Sequence, residues 1–149
     1  MKVLGIDPGK RETFYAVVER NPFFRRPSHR ITSTGHVELN PDTEINDRLP
    51  TIHAAVNKLI RTVAPDLVVA ERFVVRPGRG MGNVSEIINQ LLGILYSLCA
   101  RKKIRLVLVM PSVHKTWRER EGYRWLNLNP HETDAASLAC YGYRRICDV

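Results

Sequence analysis

A short apolar run that ends in a carboxylate constrains the fold of this chain more than any other segment. The run Leu67–Ala70 reads Leu-Val-Val-Ala, and Glu71 follows it directly. It predicts a strand that is buried on both faces of a parallel or mixed sheet. Ligands collect at the carboxyl ends of strands in open α/β sheets, so Glu71 stands where a catalytic acid can act. Taken alone, however, Glu71 is better explained as an ordinary charge at a strand end.

The hydrophobic patterns elsewhere predict an α/β fold with a five-stranded mixed sheet flanked by helices. Three segments predict an antiparallel meander, and one segment predicts a parallel strand after residues 67–71; they are 3–7, 13–19, 31–38 and 104–110. Apolar spacing of three and four residues predicts helices from about Leu49, over 84–100, and from Pro130 to about Arg145. The charged segment 111–129 is interpreted as irregular. A length of 149 residues favours a single domain, 1–149.

The helix predicted over residues 84–100 carries two apolar rows. The rows are Ile87, Leu91, Leu95 and Leu98 on one side, and Ile88, Leu92, Tyr96 and Cys99 on the next. This width fits a deeply buried helix, or a helix shared between the sheet and a second subunit. Gly93 costs about 1 kcal/mol against alanine in a helix, which fits a close crossing of backbones. On the second interpretation, Leu92→Glu or Leu95→Glu would separate a dimer.

The composition favours a polyanionic partner. Lys and Arg total 23 against 15 Asp and Glu, so the formal net charge is +8. A basic balance of this size points first to nucleic acid, although many basic proteins bind none. Three cysteines without metal-ligand spacing indicate free thiols in a reducing compartment. Neither a signal-peptide pattern nor a bilayer-length apolar run is found, so we expect a cytoplasmic protein without a membrane partner.

Two further acids stand at the ends of predicted elements. Asp7 closes the first strand, and Asp134 lies in the first turns of the last helix. His131 precedes Asp134 by three residues, so both side chains project from the same helix face. Clustered carboxylates repel unless a cation is present, and paired Mg²⁺ ions on oxygen ligands suit phosphodiester hydrolysis. A metal site explains Glu71 and these three side chains together, whereas capping and helix-dipole roles explain them only singly.

Five segments in the same order resemble the RuvC family of Holliday-junction resolvases, which have the RNase H-like fold. The segments are Gly5-Ile6-Asp7-Pro8-Gly9, Val68-Val69-Ala70-Glu71, Gly82–Gly93, Pro111-Ser112-Val113-His114-Lys115 and His131–Ala136. In the last motif the family's first position is an acid or a histidine. The resemblance covers nearly the whole chain, and the compact length suggests a phage-type member acting in a bacterial cell or an infected host.

This resemblance implies a homodimeric, metal-dependent endonuclease that nicks two strands of a four-way DNA junction symmetrically. Two Mg²⁺ ions, for which Mn²⁺ should substitute, would be held by Asp7, Glu71, His131 and Asp134. One ion would activate the attacking water, and the other would stabilise the leaving 3′-oxygen. Lys115 would face phosphate near the scissile bond. The other implied DNA contacts are a wedge at Phe73 and Val74 and the cations Arg72, Arg76 and Arg79.

Two alternative functions stay open at this point. One is a nuclease of the same fold that acts on structured RNA, and the other is a catalytically silent nucleic-acid binder. The segment between Lys115 and His131 is shorter than in bacterial RuvC and lacks its glycine-rich, lysine-containing pattern. A preferred cut sequence is therefore not predicted. Glu132 is a rival for the fourth metal ligand, but it lies about 100° around the helix from His131.

Overall fold

The strands form the mixed sheet that the sequence predicts. The computed structural model describes residues 1–20, 29–73 and 83–146, without the side chains of residues 83–85. Its strands are β1 (Lys2–Asp7), β2 (Glu12–Arg20), β3 (His29–Glu38), β4 (Leu67–Glu71) and β5 (Arg105–Val109). They are ordered β3-β2-β1-β4-β5, with β4 parallel to both β1 and β5 and the other pairs antiparallel. The α/β class and the three-strand meander are confirmed.

Helices cover both faces of this sheet. They are α1 (Ile45–Val63), α2 (Asn83–Lys102), α3 (Pro111–Glu121) and α4 (Pro130–Tyr141), and a π-helical segment, Gly142–Ile146, continues α4. Alternate residues of β1 and β4 face opposite sides: Leu4 and Val68 pack with α1 and α2, whereas Val3 and Val69 pack with α3 and α4. In the part of the chain that is described, no helix is long and apolar enough to cross a membrane.

Helix α1 begins one turn earlier than the prediction near Leu49, and Pro50 lies inside it. The buried Arg48 explains this start, because its guanidinium is anchored on both sides of the turn. Its Nη1 donates to the carbonyl oxygens of Pro41 at 3.0 Å and Thr43 at 3.2 Å, and its Nη2 donates to Gln90 at 3.2 Å. These contacts order the residues before Pro50, which lacks an N–H to donate.

The interpretation of residues 111–129 as irregular is wrong for their first half. Helix α3 spans Pro111–Glu121, with Pro111 at its first position and Gly122 ending it at φ 70°. A proline is preorganised for a first helical position, and a glycine adopts that left-handed conformation without strain. Only His114 and Trp117 are buried on this helix. Its apolar face thus extends over a single helical turn. This is too short to show as an apolar period in the sequence, given the charges from Arg118 onward.

Both apolar rows of α2 are used inside this one chain. Leu92 and Leu95 are buried in the core with α1 and the sheet, so neither lies on an outer face as the dimer prediction required. The deeply buried interpretation is therefore correct for all but the edge of the second row. Tyr96 is 52% exposed, and a Cβ on Gly93 would meet no atom of the described part of the chain within 4 Å. The outward surface of α2 is thus centred on Gly93 and Tyr96.

Candidate active site

The ends of two neighbouring strands bring Asp7 and Glu71 to the same edge of the sheet. Asp7 is the last residue of β1 and Glu71 the last of β4, and these strands run parallel with Ile6 opposite Ala70. Helix α4 lies against β1 because Gly5 has no side chain. A Cβ on Gly5 would overlap the carbonyl oxygen of Ala135. This close approach brings the first turns of α4, with their predicted site residues, beside the two strand ends.

Asp7 and His131 contact each other directly. The Nδ1 atom of His131 lies 3.0 Å from Asp7 Oδ2, and its ring stacks on Phe14 with the centroids 5.0 Å apart. Asp7 is only 7% exposed. Burial raises its pKa from an ordinary 3.8 to about 6; the charges of Glu71 and Asp134 add to this rise, and His131 opposes it. Part of the rise in the pKa of Asp7 thus comes from the neighbouring carboxylates of Glu71 and Asp134.

Two cations hold the third acid, Asp134. Lys115 Nζ lies 2.8 Å from its Oδ2, and Arg118 Nη1 lies 2.8 Å from its Oδ1. Burial alone would raise the pKa of Asp134, but the hydrogen bonds and charges of both cations outweigh it and hold the pKa below its ordinary value. Asp134 is therefore a carboxylate at neutral pH, with both of its oxygens paired.

Lys115 lies between two of the acids, Asp134 and Glu71. Besides Asp134, it approaches Glu71 Oε2 at 3.9 Å, and its side chain is 41% exposed. Burial would lower its pKa, but the hydrogen bond to Asp134 and the three neighbouring carboxylates hold the pKa above 10.5. Lys115 thus remains charged and keeps an exposed surface beside Glu71.

Three site residues were not identified from the sequence as members of this cluster. Arg118 holds Asp134, whereas His114 and Ser137 form a buried chain behind Glu71. His114 Nε2 lies 2.8 Å from Glu71 Oε2, and its Nδ1 lies 3.1 Å from Ser137 Oγ. Their common signal is spacing: His114 and Arg118 share a face of α3, and Ser137 follows Asp134 by three residues on α4. This spacing could not be used for His114 and Arg118, because residues 111–121 were not predicted to form a helix.

Glu132 faces away from this cluster. Its Oε2 accepts from the backbone N–H of Asn129 at 3.0 Å, and the Asn129 side chain accepts from the Glu132 N–H, which completes a capping box. Its Oε1 also accepts from Thr34 Oγ1 at 3.3 Å. The carboxylate of Glu132 is therefore committed to the start of α4, whereas His131 contacts Asp7.

A cleft next to Glu71 is lined by three of the predicted DNA contacts, Arg72, Phe73 and Lys115. Its volume is about 390 Å³, and its lining is Glu71, Arg72, Phe73, Met110, Pro111, Ser112 and Lys115. Arg72 is exposed, and its backbone N–H donates to the Val109 carbonyl oxygen at 2.8 Å. Phe73 packs partly against the core. The other three predicted contacts, Val74, Arg76 and Arg79, lie outside the described residues.

Comparison with known proteins shows the family and the fold of this chain. The model of the family described as crossover junction endodeoxyribonuclease RuvC matches residues 3–115, well over half of the sequence. The chain belongs to the RuvC family. RuvC of Synechococcus sp. (strain CC9605) is 30% identical over 107 residues, which cover 72% of this chain and 64% of that relative. RuvC of Cupriavidus metallidurans is 32% identical over 75 residues, covering 50% and 39%. The matched segments thus span less than two thirds of these relatives.

A solved RuvC structure shows the same fold. The structure described as T. thermophilus RuvC in complex with Holliday junction substrate has a TM-score of 0.77 at 18% identity, covering 99% of this chain and 96% of that chain. Asp7, Glu71 and Lys115 lie inside the segment that the RuvC family model matches, whereas His131 and Asp134 lie beyond it. The packing of α4 on β1 is what brings these last two residues to the site.

The chemistry of these side chains suits a hard divalent cation. Three carboxylates supply the oxygen ligands that Mg²⁺ prefers, and His131 adds one nitrogen. In residues 1–20, 29–73 and 86–146, however, no three His, Cys, Asp or Glu side chains stand in a metal-binding arrangement. Asp7 is bonded to His131, and the Asp134 oxygens face Lys115 and Arg118. The residues therefore fit a metal in type and location, and binding it would exchange these ion pairs for metal contacts.

Proposed function

We propose that this RuvC-family chain is a structure-selective DNA endonuclease that resolves four-way junctions by paired, symmetric nicks. One observation carries the proposal: Asp7, Glu71 and Asp134 gather beside the exposed Lys115 at the sheet edge. The fold is that of a RuvC whose structure includes a Holliday junction substrate. A net charge of +8 supports a DNA substrate, because neutralising phosphates drives nucleic-acid binding.

Four side chains of the site would bind metal ions, and Lys115 would bind a phosphate. Asp7, Glu71, His131 and Asp134 would hold two Mg²⁺ ions, which Mn²⁺ could replace. When bound, such ions supply an activated water and stabilise the leaving oxygen. Asp7 would have to be deprotonated to act as a ligand. Lys115, released from Asp134, would keep its charge and pair with a phosphate next to the scissile bond.

The cleft beside the acids is where we place the DNA. Arg72 and Lys115 would contact phosphates on its two sides, and Phe73 would stand where the strands separate at the junction. Val74, Arg76 and Arg79 follow in sequence and would extend this contact. A half-buried aromatic ring suits such a role because one face is anchored in the core while the other can stack on a base.

We also propose a homodimer through α2, because paired nicks need two sites. The exposed ring of Tyr96 and the open surface over Gly93 favour this helix. Because a Cβ at this glycine would meet no atom of the described residues within 4 Å, a second helix can approach closely there. Two-fold packing there would place two equal sites on opposite strands of the junction.

The test of the activity is a nicking assay with three substrates of equal length: a four-way junction, a linear duplex and a structured RNA. With Mg²⁺, we expect symmetric nicks in the junction and little cutting of the other two. Preferential cutting of the RNA would favour the RNA-nuclease alternative. Binding of the junction without any cutting, in Mg²⁺ and in Mn²⁺, would favour the silent binder.

The test of the dimer uses Tyr96→Glu and Gly93→Glu, with Ala54→Glu on the exposed face of α1 as the matched control. Sedimentation should show a dimer for the wild type and the control and a monomer for the two α2 variants. The monomers should lose the coupling between the two nicks. A wild type that sediments as a monomer at micromolar concentration contradicts the dimer proposal but leaves the nuclease proposal standing.

A further inference from the structure

The buried imidazole of His114 is the least expected polar group in the molecule. It is fully enclosed (0% exposed) between α3, β4 and α4, and both ring nitrogens have partners. An unpaired polar group costs free energy when it is buried, so this site keeps a histidine only because both contacts are made. One of these contacts is to Glu71, a proposed metal ligand.

Both ring nitrogens of His114 lie within hydrogen-bond distance of a side chain. The Ser137 hydroxyl donates to the backbone carbonyl oxygen of His114 at 3.1 Å, and its Oγ also lies 3.1 Å from Nδ1. On the other side of the ring, Nε2 lies 2.8 Å from Glu71 Oε2. One oxygen of Glu71 is thus held by a ring that Ser137 holds in turn.

We infer that His114 is a positioning residue for Glu71, and that Ser137 locks it in place. His114 occupies Oε2, so that Oε1 is the oxygen left for a metal ion. This inference rests on the proposed function, since it assumes that Glu71 is a metal ligand. Residues in this relation to a ligand commonly change metal affinity or activity by roughly 10–100-fold when they are removed.

The arrangement on α4 supports a positioning role over a purely structural one. His131, Asp134 and Ser137 follow one another at three-residue steps and so form one stripe. The first contacts Asp7, the second contacts Lys115, and the third contacts His114 and through it reaches Glu71. One face of α4 thus contacts Asp7 directly, supplies Asp134, and reaches Glu71 through His114. Adjacent residues of α3, His114 and Lys115, complete two of these connections.

The experiment measures Mn²⁺ affinity in the DNA-free protein by calorimetry, together with junction nicking and junction binding. Ser137→Ala removes the lock, His114→Leu removes the donor to Glu71, and His114→Gln supplies a donor near the position of Nε2. Trp117→Phe is the matched control, since Trp117 is the other buried side chain of α3 and its ring contacts are Tyr123 and Tyr141. Thermal unfolding checks that each variant is folded.

We expect His114→Leu to bind Mn²⁺ at least about tenfold more weakly and to nick correspondingly slowly, with junction affinity unchanged. Ser137→Ala should lose several-fold, His114→Gln should recover most of the affinity, and Trp117→Phe should bind as the wild type does. If His114→Leu does not fold, a loss in Ser137→Ala without loss in Trp117→Phe carries the same conclusion. The inference is overturned if folded Ser137→Ala and His114→Leu both bind Mn²⁺ as the wild type does. It is also overturned if Ser137→Ala binds Mn²⁺ as the wild type does and His114→Gln loses as much affinity as His114→Leu.

Glu71→Gln separates the failure of this inference from the failure of the proposed function. If Glu71→Gln weakens Mn²⁺ binding and nicking while the His114 and Ser137 variants do not, only the positioning role is lost. If Glu71→Gln itself binds Mn²⁺ and nicks as the wild type does, then Glu71 is not a ligand. In that case the metal site of the proposed function fails, and this inference fails with it.

Discussion

The two faces of the sheet are built on different principles. The face covered by α1 and α2 is closed by large aliphatic side chains, among them Ile52, Ile60, Leu91 and Leu95. The face covered by α3 and α4 also buries large side chains, such as Trp117 and Leu138, but small ones, Ala135, Ala136 and Ala139, lie where α4 meets the sheet. The small residues allow the backbone of α4 to approach β1, and the approach brings acids together that would otherwise stay apart.

This difference separates stability from chemistry. Aliphatic burial contributes about 1.5–3 kcal/mol for each fully buried side chain, so the α1–α2 face supplies much of the folding free energy. The α4 face carries Asp7, His114 and Ser137 in buried positions, where polar groups need partners to be tolerated. We therefore expect substitutions on the first face to change stability, and substitutions on the second to change activity.

The strongest way to break this comparison is Asp7→Asn. Asparagine offers a neutral amide oxygen in place of a negatively charged carboxylate, so we expect nicking to fall by roughly a thousandfold or more, a loss of over 4 kcal/mol in transition-state stabilisation. Junction binding should remain, because the cationic surface is unchanged and binding should still weaken steeply with salt. Single-turnover nicking and a binding titration in EDTA measure the two effects. Normal cutting by Asp7→Asn would remove Asp7 from the proposed site.

The same variant tests the energetic cost of the site. The pKa of Asp7 is about 6 in the folded chain against 3.8 ordinarily, so between these values the fold binds a proton that the unfolded chain releases. Stability of the metal-free wild type should therefore fall as the pH rises through this window and stay about 3 kcal/mol lower above it. Asp7→Asn carries no such charge. In EDTA it should unfold at a higher temperature than the wild type at pH 7.5, with the difference shrinking toward pH 4.

The next largest effect contrasts two glycines. Gly5→Ala would drive a Cβ into the Ala135 carbonyl oxygen and lie 2.6 Å from the Ala139 nitrogen, so α4 must move. We expect a loss of stability of about 1–3 kcal/mol or more, together with loss of nicking. The Cβ of Gly93→Ala meets no atom within 4 Å in residues 1–20, 29–73 and 83–146, so the substitution should stabilise the helix by up to about 1 kcal/mol.

The comparison of the two glycines is cleanest in the Tyr96→Glu background, where a partner helix does not oppose the added methyl group. Chemical denaturation then measures both free energies of unfolding on a monomer. A folded, active Gly5→Ala protein would mean that α4 does not need its close approach to β1. A destabilised Gly93→Ala protein would mean that other atoms of the monomer pack over Gly93 and meet the added methyl group.

Much of the fold follows from local sequence signals. Continuous apolar runs mark β1, β4 and β5, and the start of α4 is marked by Asn129 as its cap and Pro130 at its first position. Helix α3 was missed because its buried face consists of two residues, His114 and Trp117, within a charged segment. Leu92 and Leu95 were wrongly placed on an outer face of α2, because a helical period shows which residues share a row but does not show how many rows the chain's own core covers.

The candidate site could be predicted where acids stand at the ends of elements, and not where partners come from distant segments. Asp7, Glu71, His131 and Asp134 were identified from strand ends and helix spacing, and the structure brings them together. Arg118, His114 and Ser137 join the cluster through contacts spanning 16 to 43 residues of sequence. Such contacts are set by tertiary packing, so a local pattern does not encode them.

A smaller effect should distinguish His131 from Glu132 on α4. His131→Ala removes a proposed ligand and should reduce nicking at least as much as the loss of a residue that only supports a ligand, which is on the order of 10–100-fold. Glu132→Gln keeps both capping-box contacts, since a glutamine oxygen accepts as the carboxylate did, and should nick normally. The substitution of choice at Glu132 is glutamine, because alanine would also uncap α4.

The metal preference adds a second measurement on His131. Because Mg²⁺ takes imidazole poorly and Mn²⁺ accepts it, wild-type nicking should be at least as fast in Mn²⁺ as in Mg²⁺. His131→Asp restores an all-oxygen site and should shift the preference toward Mg²⁺. If Glu132→Gln is inactive and His131→Ala is active in both metals, the ligand is Glu132 and the capping box must open on metal binding.

The smallest predicted effect is the one that isolates the apolar face. Ile52→Val removes one methyl group from a fully buried position on α1 and should cost about 1 kcal/mol of stability. Nicking and Mn²⁺ affinity should be unchanged, because α1 contributes no side chain to the acids. Ser137→Ala is a substitution of similar size on the opposite face, and it should lower Mn²⁺ affinity even if its unfolding free energy changes equally. Equal stability losses with unequal metal affinities would assign the chemistry to the α4 face, whereas a metal-binding defect in Ile52→Val would show that the two faces are coupled through the sheet.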